Sequence, residues 1–262
     1  MVNDSPALKR ADVGFSMGIT GTAVAKEASD IVLTDDNFQS IRNAVLYGRT
    51  IYNNILKFCK FQLAINVGAV LTSAILPFFG IEEALNVMQL LFVNLCMDTC
   101  ASLALGQEPA FEKYMKEPPK RRNQSIVDKA MFVQFTTIGM VLTAFALIYF
   151  KSGLFDSLFA NEIQQKTGFF IAFMSMAIFN GFNVRSDGFN IFEGIGENKN
   201  FFKVEGLMLI GTIAIAMFGG NLFGCEMISI KAMVTMVALG VMIIPIDFIR
   251  KAITKAVTKS KN

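Results

Sequence analysis

Charge is absent from long stretches of this chain. Charge-free runs occupy 61–81, 130–150, 167–184 and 206–225, and two more, 84–107 and 232–249, are each interrupted by a single acid, Asp98 and Asp247. Each is long enough, or nearly so, for a helix rising about 1.5 Å per residue to cross a hydrocarbon layer of about 30 Å. The pattern predicts a mainly α, polytopic membrane helical bundle of six transmembrane helices over 61–250, at about 61–81, 86–106, 130–150, 167–184, 206–225 and 232–249.

Residues 1–36 read differently. Asp4-Ser5-Pro6 offers an N-cap and a first-turn proline for a short helix through Leu8–Ala11. Val13–Met17 and Asp30–Leu33 read as short strands on either side of a helix over Thr22–Ser29. This alternation predicts a piece of a parallel α/β sheet, and two strands are too few to stand without neighbours. From Asp36 no proline intervenes until Pro77, so a stalk helix over 37–60 is expected to run on into the first span. Pro109, Pro118 and Pro119 forbid a continuous helix in the connection after the second span. Phe78, Phe79 and Tyr149 lie near span ends, as aromatic residues of a membrane interface do.

Composition narrows the chemistry. Of 262 residues 53% are hydrophobic and 17% charged, with a mean hydropathy of +0.48, which excludes an ordinary soluble domain. There is no histidine, so histidine acid–base chemistry and imidazole metal sites are excluded. Cys59, Cys96, Cys100 and Cys225 form no CxxC and read as small buried thiols. A net charge of +3 is too small to suggest a nucleic-acid partner. Its distribution matters more, because 21 of the 24 Lys and Arg fall before the first span, after the second and fourth, and from Arg250 through the basic tail at 251–262. Basic residues stay on the cytoplasmic side, so both termini are expected there, with the tail against anionic lipid headgroups.

Asp98 lies in mid-span, where a carboxylate costs roughly 2.5–3.5 kcal/mol on insertion scales, so it should face a polar cavity or a cation. Asn94 precedes it by four residues, on the same helix face, and Asn66 in the preceding span is a third candidate oxygen. Interhelical hydrogen bonding accounts for lone membrane asparagines but poorly for Asp98. Cys100 lies about 200° around the helix from Asp98, which disfavours a joint thiolate–carboxylate site for a soft metal. Asp247, near the last span's end, reads as an interfacial residue that solvent reaches.

The stretch Val2-Asn3-Asp4-Ser5-Pro6-Ala7-Leu8-Lys9-Arg10-Ala11-Asp12-Val13-Gly14, followed by Met17-Gly18, Gly21-Thr22 and Ala25-Lys26-Glu27-Ala28-Ser29-Asp30, resembles the hinge end of the phosphorylation (HAD-like) domain of P-type ATPases. The family pattern is TGDGxNDxPALKxADVGxxMG, and Met1 stands where its second glycine would be. Phe61-Gln62-Leu63, Asn66-Val67, Val93-Asn94-Leu95, Met97-Asp98-Thr99 and Glu108-Pro109 are similar to the fifth and sixth spans of plasma-membrane-type (P2B) calcium pumps. Phe179-Asn180, Asn183 and Arg185 are similar to their eighth. The resemblance implies spans five to ten of such a pump behind a remnant of its phosphorylation domain.

In that family ATP phosphorylates an Asp in DKTG with Mg²⁺ present, and the aspartyl phosphate drives ion transport. This sequence contains no DKTG and no TGE loop, so by itself it is expected not to hydrolyse ATP. The resemblance places Asn3 and Asp4 near Mg²⁺ and phosphate; the plainer reading is helix capping. Reticulum-type calcium pumps build a second calcium site from acids at positions held here by Ala69 and Ala177. One Ca²⁺ site is therefore implied, made of Asn94, Asp98 and an acid of the fourth span, with Asn66 the weaker candidate. The pump would export Ca²⁺ from the cytoplasm, its remaining domains lying in cis or on a separate chain. The alternatives are a non-enzymatic membrane subunit completing a separately encoded ATPase, or a pump for another cation. The start within TGDG reads as a fragment or a mis-assigned gene start.

Overall fold

The computed structural model describes residues 4–120, 124–186, 188–194 and 196–259. It divides into two compact units, Met1–Tyr52 with Ala110–Lys120, and Asn53–Pro109 with Arg121–Asn262.

The first unit holds α1 (Ser5–Arg10), β1 (Phe15–Met17), α2 (Ala23–Ala28) and β2 (Ile31–Leu33). Pro6 sits in the first turn of α1, but Asp4 makes no side-chain cap, contrary to the sequence expectation. The reason is local: the Asp4 backbone is itself helical, at φ −87° and ψ −16°, so its carboxylate is not turned back onto the first free N–H groups. Thr22 does cap α2, its side chain accepting from the Ala25 N–H at 3.3 Å. The strands pair in parallel, Phe15 with Ile31 and Met17 with Leu33, as a βαβ crossover requires. Ile31 and Val32 are exposed, so one flank of this two-stranded sheet is uncovered.

Asp36 closes the unit's loop. Its carboxylate accepts from the N–H groups of Ile19 and Thr20 at 2.9 and 2.7 Å and from the Thr20 hydroxyl at 2.7 Å. Desolvation works against its charge, yet these hydrogen bonds prevail and hold its pKa at about 2. The helix α3 (Phe38–Ile75) follows without a break. Within this unit Arg49 donates to the carbonyls of Tyr114 and Glu117 at 2.7 and 2.6 Å, fixing a 3-10 turn at Glu112–Lys116.

Among the described residues six helices are long and apolar enough to cross a membrane: Phe38–Phe79, in which α3 continues into a 3-10 turn; α4 (Val87–Gly106); α5 (Lys129–Lys151); α6 (Glu162–Arg185); α7 (Lys199–Phe218); and Ile230–Val257, built from α8 (Ile230–Val241) and α9 (Ile243–Lys259). The most apolar stretch of α6 is 89% buried, against 28–39% for the other five, so α6 is the axis on which the others pack. Gly240 of α8 packs directly against it: a Cβ there would lie 2.4 Å from that of Ser175. On the outer faces Val70, Met140, Ile148, Leu207, Ile210 and Val234 are exposed, as in a bundle whose solvent is hydrocarbon.

Three placements differ from the sequence reading. The fifth span runs Lys199–Phe218 and not 206–225, because Asn198 caps it before the charged Lys203 and Glu205, and Gly219-Gly220 end it. Tyr149 is wholly buried among Phe145, Phe150, Phe155, Phe159 and Phe169, its hydroxyl donating to the Gln165 carbonyl at 2.8 Å, so it is not an interfacial residue. Cys96 is exposed rather than buried; all four cysteines are free.

Candidate functional site

The helix α4 is not α-helical throughout. Val87–Phe92 gives way to a π-helical turn over Val93–Met97, and regular geometry resumes at Asp98. Such turns loosen the hydrogen-bond ladder and recur at functional sites. Here the turn ends on the one acid of the span and includes Asn94.

Asp98 is half-buried. One carboxylate oxygen, Oδ2, accepts from the Gln62 amide of α3 at 2.9 Å, and the other, Oδ1, is buried with no hydrogen-bond partner. The interhelical partner is thus Gln62, not Asn66, which lies one helical turn further along α3 and is half-buried. Asn94 is exposed, and its side chain makes no hydrogen bond with that of Asp98. Asp4 is exposed at the start of α1, and Asn3 lies outside the described residues. Among the described residues no three of Cys, Asp and Glu converge as a metal site. The groups brought together here are one carboxylate and one neutral amide, whose oxygens suit a hard cation such as Ca²⁺ rather than a soft metal.

Ten residues on, Glu108 shows the opposite treatment of a buried acid. Its Oε1 accepts from Arg185 Nε at 2.8 Å and from Asn198 Nδ2 at 2.6 Å, and its Oε2 from Lys57 Nζ at 3.2 Å. Glu108 and Arg185 side chains are each 1% exposed and Lys57 is 8% exposed. Asn54 donates to the backbone carbonyls of Gly106 and Glu108 at 3.2 and 3.1 Å, and the Arg185 guanidinium lies 4.6 Å over the Phe201 ring. Helices α3, α6 and α7 are thereby tied to the end of α4. The sequence reading does not assemble this centre: Glu108 and Arg185 stand there in separate resembling runs, and Lys57 and Arg185 among the topology charges. The available signal was three ionic residues placed at or near the ends of spans.

Asp247 is likewise fully buried, which corrects the expectation that solvent reaches it. Arg250 and Lys251 lie one turn on along α9 and close over it at 2.6 and 3.2 Å. Lys251 also donates to the carbonyls of Asn183, Ser186 and Gly188 at 2.9, 2.7 and 3.1 Å.

Glu205 of α7 stands apart from these. It is 4% exposed, neither carboxyl oxygen has a hydrogen-bond partner, and Oε1 fills the space beside Gly181 where a Cβ would come within 2.5 Å. A buried carboxyl without donors is destabilising. Glu205→Met, of similar length and apolar, is therefore expected to stabilise the detergent-solubilised chain by about 1–3 kcal/mol. Denaturant unfolding reads this directly, and a loss of stability would show that Glu205 has a partner.

Residues 82–253 match the family described as the cation transporting ATPase C-terminus. The chain is 41% identical over 249 residues to plasma membrane calcium-transporting ATPase 1 of Gallus gallus, covering 91% of this chain and 21% of that protein. It is 40% identical over 250 residues to plasma membrane calcium-transporting ATPase 4 of Homo sapiens, covering 91% and 20%. The chain thus spans about a fifth of the length of these relatives. Six apolar helices, a half-buried acid in the second of them and a family match that covers most of the spans agree: the chain is an integral, multi-pass membrane protein that belongs to the family of the cation-transporting ATPase C-terminus.

Proposed function

We propose that this chain is the C-terminal transmembrane part of an ATP-driven pump that exports Ca²⁺ from the cytoplasm through one oxygen-ligand site, with Asp98 and Asn94 as ligands and Asn66 as a weaker contributor. One observation carries the reading. The structure gives the buried Glu108 two cationic partners, and Asp98 only an amide, with Oδ1 unpartnered. A full negative charge held in a membrane helix without a fixed counter-ion is a place for a mobile cation. Calcium is favoured among cations by the hard oxygen donors and by the names of the relatives, which are calcium-transporting ATPases.

In the whole pump, ATP and Mg²⁺ would act on the cytoplasmic domains, and Asn3 and Asp4 would lie near the phosphate. Both termini would be cytoplasmic, and the apolar outer faces would meet lipid. The test is transport. Joined in cis to the actuator, nucleotide and phosphorylating segments of a plasma-membrane-type pump and reconstituted into vesicles, the chain should support ATP-dependent Ca²⁺ uptake. The chain alone should show no ATP turnover. Uptake equal to that of empty vesicles, or Ca²⁺-stimulated turnover by the chain alone, would overturn the reading.

A further inference from the structure

The Ca²⁺ site reading leaves one contact unexplained: the hydrogen bond from Gln62 to Asp98 across the α3–α4 interface. It is a direct bond of 2.9 Å from the amide Nε2, and it joins residues 36 apart in sequence. Asp98 makes no ion pair with Lys or Arg among the described residues. Its charge is therefore met by a single neutral dipole on one oxygen, while the other oxygen is buried and bare.

We propose that Gln62 is a reversible partner of Asp98 within that same site: its amide N–H holds the carboxylate while the cation is away, and its carbonyl oxygen becomes a ligand when the cation arrives. The proposal rests on Asp98 being a ligand. The chemistry is particular to glutamine. A terminal amide carries a donor at one end and an acceptor at the other, and the torsion between them is soft and nearly two-fold. Turning the amide over replaces Nε2 by Oε1 at nearly the same point in space. Lysine or arginine at this position would neutralise Asp98 permanently and compete with the cation, as Lys57 and Arg185 do at Glu108. A second carboxylate would repel Asp98 in the empty site. An apolar residue would leave a buried carboxylate with no partner at all.

Oxygen counting points the same way. Ca²⁺ takes six to eight oxygens, whereas Asp98, Asn94 and Asn66 supply four at most. Gln62 already touches Asp98, so its carbonyl reaches the cation's position without backbone movement. Asn66 is one turn along the same face of α3, so the two amides form a short oxygen-bearing edge facing α4.

The experiment uses the full pump carrying this chain, reconstituted in vesicles, with equilibrium Ca²⁺ binding and the Ca²⁺ dependence of uptake measured together. Gln62→Met keeps the length and removes both ends of the amide. We expect about a tenfold weaker apparent Ca²⁺ affinity, in equilibrium binding and in the Ca²⁺ dependence of uptake alike. Gln62→Glu restores an oxygen at the same reach but adds a charge beside Asp98. Affinity should recover at high pH and fall at low pH, a pH dependence steeper than that of the unaltered pump. If Gln62→Met binds Ca²⁺ as tightly as the unaltered pump, or Gln62→Glu shows no added pH dependence, the Gln62 role is wrong. If Asp98→Asn binds Ca²⁺ normally, the site reading itself fails, and that result is separate from any behaviour of Gln62.

Discussion

Asp98→Asn in the whole pump is expected to abolish Ca²⁺ uptake at every Ca²⁺ concentration tested. The substitution changes one atom of the side chain and almost none of its volume, so packing around α4 is preserved. It removes the only full negative charge placed in the middle of that helix. A neutral amide still accepts a hydrogen bond from Gln62, so the α3–α4 contact survives. The cation, however, loses both the charge and one of the two carboxylate oxygens, in a setting where charge interactions are weakly screened. The insertion cost that disfavours a mid-span carboxylate also disappears, so the variant should reach the membrane in at least normal amounts. Normal expression with no uptake is thus the expected pair of results. Unchanged uptake would remove Asp98 from the site, and lost expression together with lost uptake would point to a folding role.

The residues that made this site legible in the sequence, and those that did not, differ in a physical way. A charge inside an apolar run is visible along one chain, so Asp98 and the six spans followed from local composition, as did the π-turn's Asn94 as a candidate. Gln62 did not stand out because Gln62 and Asn66 are four residues apart on one helix face. Periodicity gives the face but not the axial offset between α3 and α4 that decides which amide meets Asp98. The fifth span lies earlier than its uncharged run because the first two turns of its helix carry Lys199, Lys203 and Glu205, residues that a search for uncharged runs discards. Glu108 and its partners were hidden for another reason: they lie 51, 77 and 90 residues apart, and only helix packing brings them together.

That packing yields the other large expected effect. Glu108→Ala should destabilise the chain by about 3–5 kcal/mol, the cost of breaking a buried ion pair by removing one partner. Two features put it toward the upper part of that range. The acid serves two cations at once, and Arg185, at 1% side-chain exposure, has no water to turn to. Asn198, the cap of α7, loses its carboxylate contact too, and its amide N–H keeps the 3.0 Å bond to the Ala104 carbonyl while its oxygen still caps the Phe201 N–H. The effect therefore spreads from the end of α4 to the start of α7 and the end of α6, and unfolding of the detergent-solubilised chain should reflect it. If the loss comes from uncompensated charge rather than from a cavity, replacing all three ionic residues with Met should restore most of the stability, because well-packed apolar groups replace buried ion pairs at little or no cost. A cavity effect would make the triple variant worse than Glu108→Ala, so the comparison separates the two causes.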